Sequence, residues 1–213
     1  MTHDFIHRKK LLILDLDGTL FNTLGDLAPA VNYALSMHGL PALEISKIHS
    51  FIGNGSLNLI ARSIGEASVS LEAVHRDFLR FYAAHCTENT VPYPGVPEFL
   101  ARDFRAALLT NKPEKPTRLI LEHFGLENRF ECVLCGDTAK AKKPGPEGIF
   151  QILETCRVAA SDAVMIGDDT PDIQAALAVP VDSIAVLNGY GKAELLLSLQ
   201  PTAAVSHFSD LLN

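Results

Sequence analysis

The sequence predicts an α/β fold: a doubly wound parallel sheet with an all-helical segment inserted after its first strand. Three observations carry this. Short apolar runs alternate with segments of helical period from residue 105 to residue 187, the pattern of parallel strands joined by crossover helices. One further apolar run, Leu11-Leu12-Ile13-Leu14, stands far upstream of the others, and no strand signal occurs between Phe21 and Asn89. The chain has 213 residues, 47% hydrophobic and 20% charged, which suffices for one full-sized core with a smaller one beside it.

The first strand ends in Asp15-Leu16-Asp17-Gly18-Thr19, so two carboxylates one residue apart and a glycine turn emerge at one edge of the sheet. Asp-Gly is also a common turn pair, and the segment gains meaning only from its partners. In the insert, Leu24, Leu27, Val31, Ala34 and Leu35 share a helical face, with Asn22 or Thr23 as N-cap and Gly39 as the stop. A second helix is expected over 56–64, after the flexible Gly53-Asn54-Gly55, and a third over 69–86 with Leu71, Val74, Phe78, Leu79 and Tyr82 as its apolar stripe. The proline-rich stretch 87–97 returns the chain to the sheet.

Further strands are expected at 105–110, 130–135, 162–167 and 182–187, with helices over 113–124, 146–156 and 171–178 whose proline-led starts suit a first helical turn. The expected organisation is a Rossmann-like core of residues 1–20 and 90–213 carrying a helical cap domain of residues 21–89. Both connections to the insert leave from the edge that bears the acidic turn. The insert can therefore lie over that edge as a lid.

The formal net charge of -7 argues against nucleic acid or an anionic membrane surface as partner, since clustered Lys and Arg hold both. The basic run Arg8-Lys9-Lys10 is too short to change this. Residues 2–7 carry charge, and no apolar stretch approaches the length of a membrane span, which predicts a cytoplasmic protein. Cys86, Cys132, Cys135 and Cys156 lack framework spacing and fit reduced thiols. Cys132 and Cys135 form a C-x-x-C within an expected strand, without a second pair or nearby His ligands, and read as core packing.

Three more strand ends carry polar groups, and in a parallel sheet those ends converge on one crevice. Thr110-Asn111-Lys112 brings a hydroxyl and an amide, Lys142-Lys143-Pro144 brings a lysine pair, and Gly167-Asp168-Asp169-Thr170-Pro171-Asp172 brings three carboxylates within one turn. Each has a bland reading as helix cap, solvated surface or dipole partner. Together they crowd Asp15, Asp17, Asp168, Asp169 and Asp172 around one candidate base, Lys143. Repulsion would raise the pKa of several carboxyls, and a hard divalent cation removes the conflict. Mg2+ is suited to the task, because it binds through one or two carboxylates plus a substrate phosphate, and Lys143 with the N–H groups of the Gly18 turn would complete a phosphoryl pocket.

The ordered set Asp15-Leu16-Asp17-Gly18-Thr19-Leu20, Thr110-Asn111, Lys143-Pro144 and Gly167-Asp168 to Asp172 resembles the haloacid dehalogenase superfamily, and nearly the whole chain takes part. Pro92-Tyr93-Pro94-Gly95-Val96, Gly53-Asn54-Gly55 and Asn188-Gly189-Tyr190-Gly191 make it similar to the phosphoglycolate phosphatase group within that superfamily. The resemblance implies a Mg2+-dependent phosphomonoester hydrolase that works through an aspartyl-phosphate on a small phosphorylated metabolite, with 2-phosphoglycolate the leading candidate. It assigns Asp15 as nucleophile, Asp17 as acid and base, and Thr110 and Lys143 as groups that bind and neutralise the phosphoryl group, with Gly18 and Asn111 beside them. It assigns Mg2+ to the side chain of Asp15, the backbone carbonyl of Asp17 and the carboxylate of Asp168, with Asp172 orienting this shell.

Two departures stand out. Asn22-Thr23 occupies positions where the group commonly has Asp-Ser, and Asp169 occupies one that is usually small and uncharged. Rival readings are a β-phosphoglucomutase-like phosphomutase, a pyrophosphatase or a generalist sugar-phosphate phosphatase on the same fold. More remote are a metal-independent dehalogenase and a non-catalytic phospho-ligand sensor. The oligomeric state, monomer or homodimer, is left open by the sequence.

Overall fold

The computed structural model describes residues 2–212, and side chains over residues 5–212. In chain order the elements are α1 (Thr2–His7), β1 (Leu11–Leu14), β2 (Phe21–Asn22), α2 (Leu24–Met37), α3 (Ile45–His49), α4 (Ser56–Ile64), α5 (Leu71–His85), β3 (Val91–Pro92), α6 (Val96–Leu100) and β4 (Ala106–Leu109). They continue with α7 (Glu114–His123), β5 (Cys132–Leu134), α8 (Glu147–Cys156), β6 (Ala163–Gly167), α9 (Thr170–Leu177), β7 (Asp182–Val186), α10 (Ala193–Ser198) and β8 (Ala203–Val205).

Six strands form one parallel sheet in the order β5-β4-β1-β6-β7-β8. The expected doubly wound α/β fold is the observed one. After β1 the chain builds outward through β4 and β5, then crosses back and builds the other half through β6, β7 and β8. The winding therefore reverses at β1, and the carboxyl ends of β4, β1 and β6 border a crevice where ligands bind in open sheets of this kind. Register ties these ends together, for Leu14 lies beside Leu108 on one side and Ile166 on the other.

β1, β4 and β6 are buried along their whole length, as central strands covered on both faces must be. Successive side chains of β1 part to opposite faces. Leu12 and Leu14 join Leu108, Ile166, Ile120 and Phe99 on one face, whereas Leu11 and Ile13 join Met165, Ile149, Ile152 and Ala175, on the face covered by α8 and α9. Cys132, Cys135 and Cys156 are free thiols, and burial pushes those of Cys135 and Cys156 up to about 11, consistent with packing rather than reactivity.

Between β2 and β3 the chain is helical, α2 to α5, as expected from the missing strand signal. The helices share the core of the sheet's first face, since Val31, Leu35, Phe78 and Tyr82 belong to one buried cluster with Leu14, Leu20 and Phe21. β2 and β3 themselves pair antiparallel, Phe21 with Pro92 and Asn22 with Val91, where no strand was expected. β8 was also not anticipated: three residues, Ala-Ala-Val, are too few to show a period. Among the described residues no helix is long and apolar enough to cross a membrane.

Candidate active site

Asp15 follows β1 directly, and its N–H continues the ladder to Ile166 O at 3.0 Å, so the backbone of the sheet fixes where its carboxylate emerges. Asp168 follows β6, the neighbouring strand. Asp172 lies in the first turn of α9, where it closes a capping box: Asp169 accepts from the Thr170 N–H at 2.7 Å, and the Asp169 N–H donates to Asp172 Oδ2 at 3.1 Å. Asp169, which had no assigned role, is thus the N-cap of α9. Carboxylate oxygens of Asp15, Asp168 and Asp172 lie within 4.8 Å of one another, all three buried.

Lys143 reaches this cluster from the loop before α8. Its Nζ lies 2.7 Å from Asp15 Oδ1 and 2.6 Å from Asp172 Oδ1, and donates to Leu109 O at 2.8 Å. Lys142, the other half of the pair, sits outside the cluster beside Gly55. The ammonium thus makes two hydrogen bonds, to Leu109 O and Asp172 Oδ1, and one further ion pair, to Asp15. Asp15 Oδ1 is in ion-pair range without hydrogen-bond alignment, and remains a buried acceptor without a hydrogen-bond partner.

Charge in this cluster does not balance. Burial pushes the Asp15 carboxyl up to about 7, with Lys143 opposing and Asp172 and Asp17 adding to the rise. Burial, then the charges of Asp15 and Asp172, hold Asp168 far above the ordinary carboxylate range, against the Thr19 hydroxyl (2.5 Å) and the Tyr190 N–H (2.7 Å) that favour its ionised form. Asp172 is raised by burial too, less the effect of Lys143. Burial alone would lower Lys143, but Asp15 and Asp172 outweigh it and hold the ammonium above the ordinary lysine range. Two ionised carboxylates within 4.8 Å repel by about 3 kcal/mol at an effective dielectric of about 20. Three buried carboxylates against one ammonium, with an orphaned oxygen on Asp15, are a donor set that fits a hard divalent cation.

Asp17 stands apart from the three. Its Oδ1 accepts from the Thr23 hydroxyl at 2.6 Å and from Lys112 Nζ at 2.9 Å, so its side chain is outside the carboxylate cluster and only its backbone could take the metal position expected of it. Thr110 is 2% exposed, and its oxygen accepts from the Lys112 N–H at 3.2 Å, which leaves the hydroxyl hydrogen for another acceptor. Asn111 was expected to touch substrate. Its amide is spent on backbone instead: it donates to Gly53 O and Lys143 O and accepts from the Lys143 N–H, each at 2.9 Å.

The expectation for Gly18 also needs correction. Its N–H is not free for a phosphoryl oxygen, because it donates to Phe21 O at 2.9 Å and closes the turn. What position 18 requires is the absence of a side chain: φ is +89° and a Cβ would collide with the Asp168 carboxylate. Gly53, at φ +109°, likewise leaves room for Asp169 across the junction with the insert.

The insert contributes part of the site's lining. A cavity of about 50 Å3 is lined by Asp15, Asp17, Thr110, Lys112, Lys143 and Asp168 from the sheet side, and by Leu27, Ile52, Leu59, Phe78 and Tyr82 from the insert. Since a water occupies about 10–15 Å3 on this measure, the space suits a few waters or one small anion. Tyr190 joins the two parts: its hydroxyl accepts from the N–H groups of Thr23 (2.7 Å) and Leu24 (3.0 Å) and donates to Asn22 Oδ1 (3.1 Å). Thr23 is the N-cap position of α2, Asn22 just before it accepts from the Leu24 N–H at 3.2 Å, and the Thr23 hydroxyl holds Asp17, so both departures at 22–23 are put to use.

Lys112 is the residue that the sequence reading missed. It is 4% exposed, its Nζ donates to Tyr82 OH at 2.6 Å as well as to Asp17, and it lies 4.5 Å from the Tyr82 ring centroid. A lysine directly after Thr110-Asn111 at a strand end was the available signal.

The profile of the family described as haloacid dehalogenase-like hydrolase matches residues 12–186. A phosphoglycolate phosphatase of Psychrobacter arcticus is 35% identical over 96% of this chain and 95% of its own length, and one of Colwellia psychrerythraea 36% identical over 97% of each. Among solved structures, one described as a predicted phosphoglycolate phosphatase from Haemophilus somnus superposes with a TM-score of 0.90 at 28% identity, covering 96% of this chain and 97% of that one.

Proposed function

Since the chain belongs to the haloacid dehalogenase-like hydrolase family, we propose that it is a phosphoric monoester hydrolase that uses Mg2+ and an aspartyl-phosphate intermediate on a small phosphorylated metabolite, with 2-phosphoglycolate as the leading substrate. The observation that carries the reading is the buried carboxylate of Asp15, with an unpartnered oxygen, facing a cavity that also receives Asp17, Thr110, Lys143 and Asp168.

In the first step a carboxylate oxygen of Asp15 attacks phosphorus, the ester P–O bond breaks, and Asp17 gives its proton to the departing alkoxide. In the second, Asp17 takes a proton from water as that water attacks the same phosphorus. The acyl-phosphate P–O bond breaks, releasing inorganic phosphate and restoring Asp15. Thr110 donates its free hydroxyl hydrogen to a phosphoryl oxygen, and Lys143 offsets the charge that gathers there. Asp15, the carbonyl of Asp17 and Asp168 would hold the metal. Bound, Mg2+ would keep Asp15 ionised and bind a phosphoryl oxygen.

The remaining residues position these. Asp172 holds Lys143, Asn111 fixes the Lys143 backbone, and Gly18 gives Asp168 its space. Residues 21–89 act as a cap on a core of residues 1–20 and 90–213, and exclude bulk water from the cavity. A reducing compartment, the cytoplasm, suits the four unbridged cysteines.

The test is kcat/KM over a panel of phosphate esters with and without Mg2+. The expected result is metal-dependent turnover, best with the shortest leaving groups because the cavity is small. Transfer to a sugar instead of water, or no turnover of any ester with metal present, would overturn the proposal.

A further inference from the structure

Two buried ammonium groups, Lys143 and Lys112, line the cavity. Lys143 hydrogen-bonds Leu109 O and Asp172 Oδ1 and is ion-paired with Asp15 Oδ1 at 2.7 Å, so three groups surround it. Lys112 has two acceptors, Asp17 Oδ1 at 2.9 Å and Tyr82 OH at 2.6 Å, so one N–H remains on a side chain that is 2% exposed and lines the cavity. A buried cation with one N–H unused calls for an anion or a polar group.

Its place says which end of a substrate it would meet. On the proposed mechanism, which this inference rests on, Asp17 touches the leaving oxygen, whereas Asp15, Lys143 and Asp168 surround the phosphoryl group. Lys112 is bonded to Asp17 and not to the other three. It is therefore a cation on the leaving-group side. Leu27, Leu59, Phe78 and Pro113 make much of the remaining wall apolar, with the Ser56 hydroxyl among the polar groups that also line it.

We propose that Lys112 is the specificity-determining residue of this site: its remaining N–H receives a carboxylate carried by a short leaving group, and Tyr82 of α5 holds the ammonium in position for it. An ester whose leaving group carries a carboxylate close to the bridging oxygen satisfies that hydrogen. A neutral group of the same length leaves it unsatisfied, and a cationic group faces repulsion.

The test is kcat/KM, with Mg2+, for 2-phosphoglycolate, 2-hydroxyethyl phosphate and 2-aminoethyl phosphate, in the wild type and in Lys112→Gln and Lys112→Arg. The wild type should rank them in that order. Lys112→Gln should reduce the preference of the first over the second by about tenfold to a hundredfold, mostly through KM, as loss of a charged hydrogen bond requires. Lys112→Arg, which keeps the charge on a broader head, should retain most of that preference. A flat wild-type ranking overturns the inference without any variant. So does a preference that survives in Lys112→Gln, including the case where all three esters lose rate equally because Asp17 has lost its partner. Failure to turn over any of the three in the wild type would instead count against the hydrolase reading itself.

Discussion

Replacing Gly18 with alanine should weaken metal binding before it costs the protein its fold. The new Cβ would occupy the space of the Asp168 carboxylate, at a backbone angle of +89° that disfavours any side chain. Asp168 must then swing away from Asp15 and Asp172. Stability should fall by about 1–3 kcal/mol in urea unfolding, and Mg2+ affinity by about tenfold or more by calorimetry. Unchanged affinity would mean that Asp168 is not a ligand. At this scale most of the site could be read from the sequence, because Asp15, Asp17, Thr110 and Asp168 follow strand ends, which a parallel sheet brings together, and Lys143 lies in the loop that follows another strand. For Lys112 the one local signal was its place directly after Thr110-Asn111, and this does not distinguish a buried lysine from a solvated one, because its partner Tyr82 lies thirty positions upstream on another element. Asn111 and Gly18 were placed at the site, but their partners, Gly53, Lys143 and Asp168, decide whether they touch substrate or hold what does.

Among elements, the junction between sheet and insert is the mechanical centre. Asp26 in α2 is 1% exposed and accepts from the Asn89 N–H and side-chain amide and from the Thr90 N–H and hydroxyl, at 2.8–3.0 Å. It ties the way into the insert to the way out. Asp26→Ala leaves four donors without their carboxylate and should lower stability by about 2–4 kcal/mol, seen as a lower urea midpoint. An unchanged midpoint would show that the β2–β3 ribbon suffices alone. The long amphipathic helices were legible, with α4 at 56–64 as expected and α5 within two residues of its expected ends, because nine or more residues display a period. β2, β3 and β8 were not. Two or three residues carry no periodicity, and their pairing is set by neighbours distant in sequence.

For the whole molecule, the carboxylate cluster makes stability depend on pH and metal together. In the unfolded chain Asp15 titrates near 3.8, and in the folded one near 7, with Asp168 and Asp172 also raised, in each case chiefly by burial. Between those values the folded state holds more protons than the unfolded one, so the metal-free protein loses stability as pH rises from about 4 to about 7. A divalent cation reverses this by favouring the ionised carboxylates. The gap in Tm between metal-loaded and metal-free protein should therefore be small near pH 5 and widen toward pH 7.5, about where Asp15 has lost its proton. Carboxylates away from the site cancel in that difference. A gap that narrows with rising pH would contradict the assignment of this cluster as the metal site.

The central claim is that phosphorus passes through the side chain of Asp15. The most direct measurement is to quench the enzyme during turnover of 2-phosphoglycolate with Mg2+, reduce the acyl-phosphate with borohydride, and locate the resulting homoserine by peptide mass spectrometry. The account predicts homoserine at position 15 alone, with none in Asp15→Asn, whose kcat should fall by about 10,000-fold or more. Rapid metal-dependent turnover with no adduct at position 15, or with the adduct on another carboxylate, would contradict it.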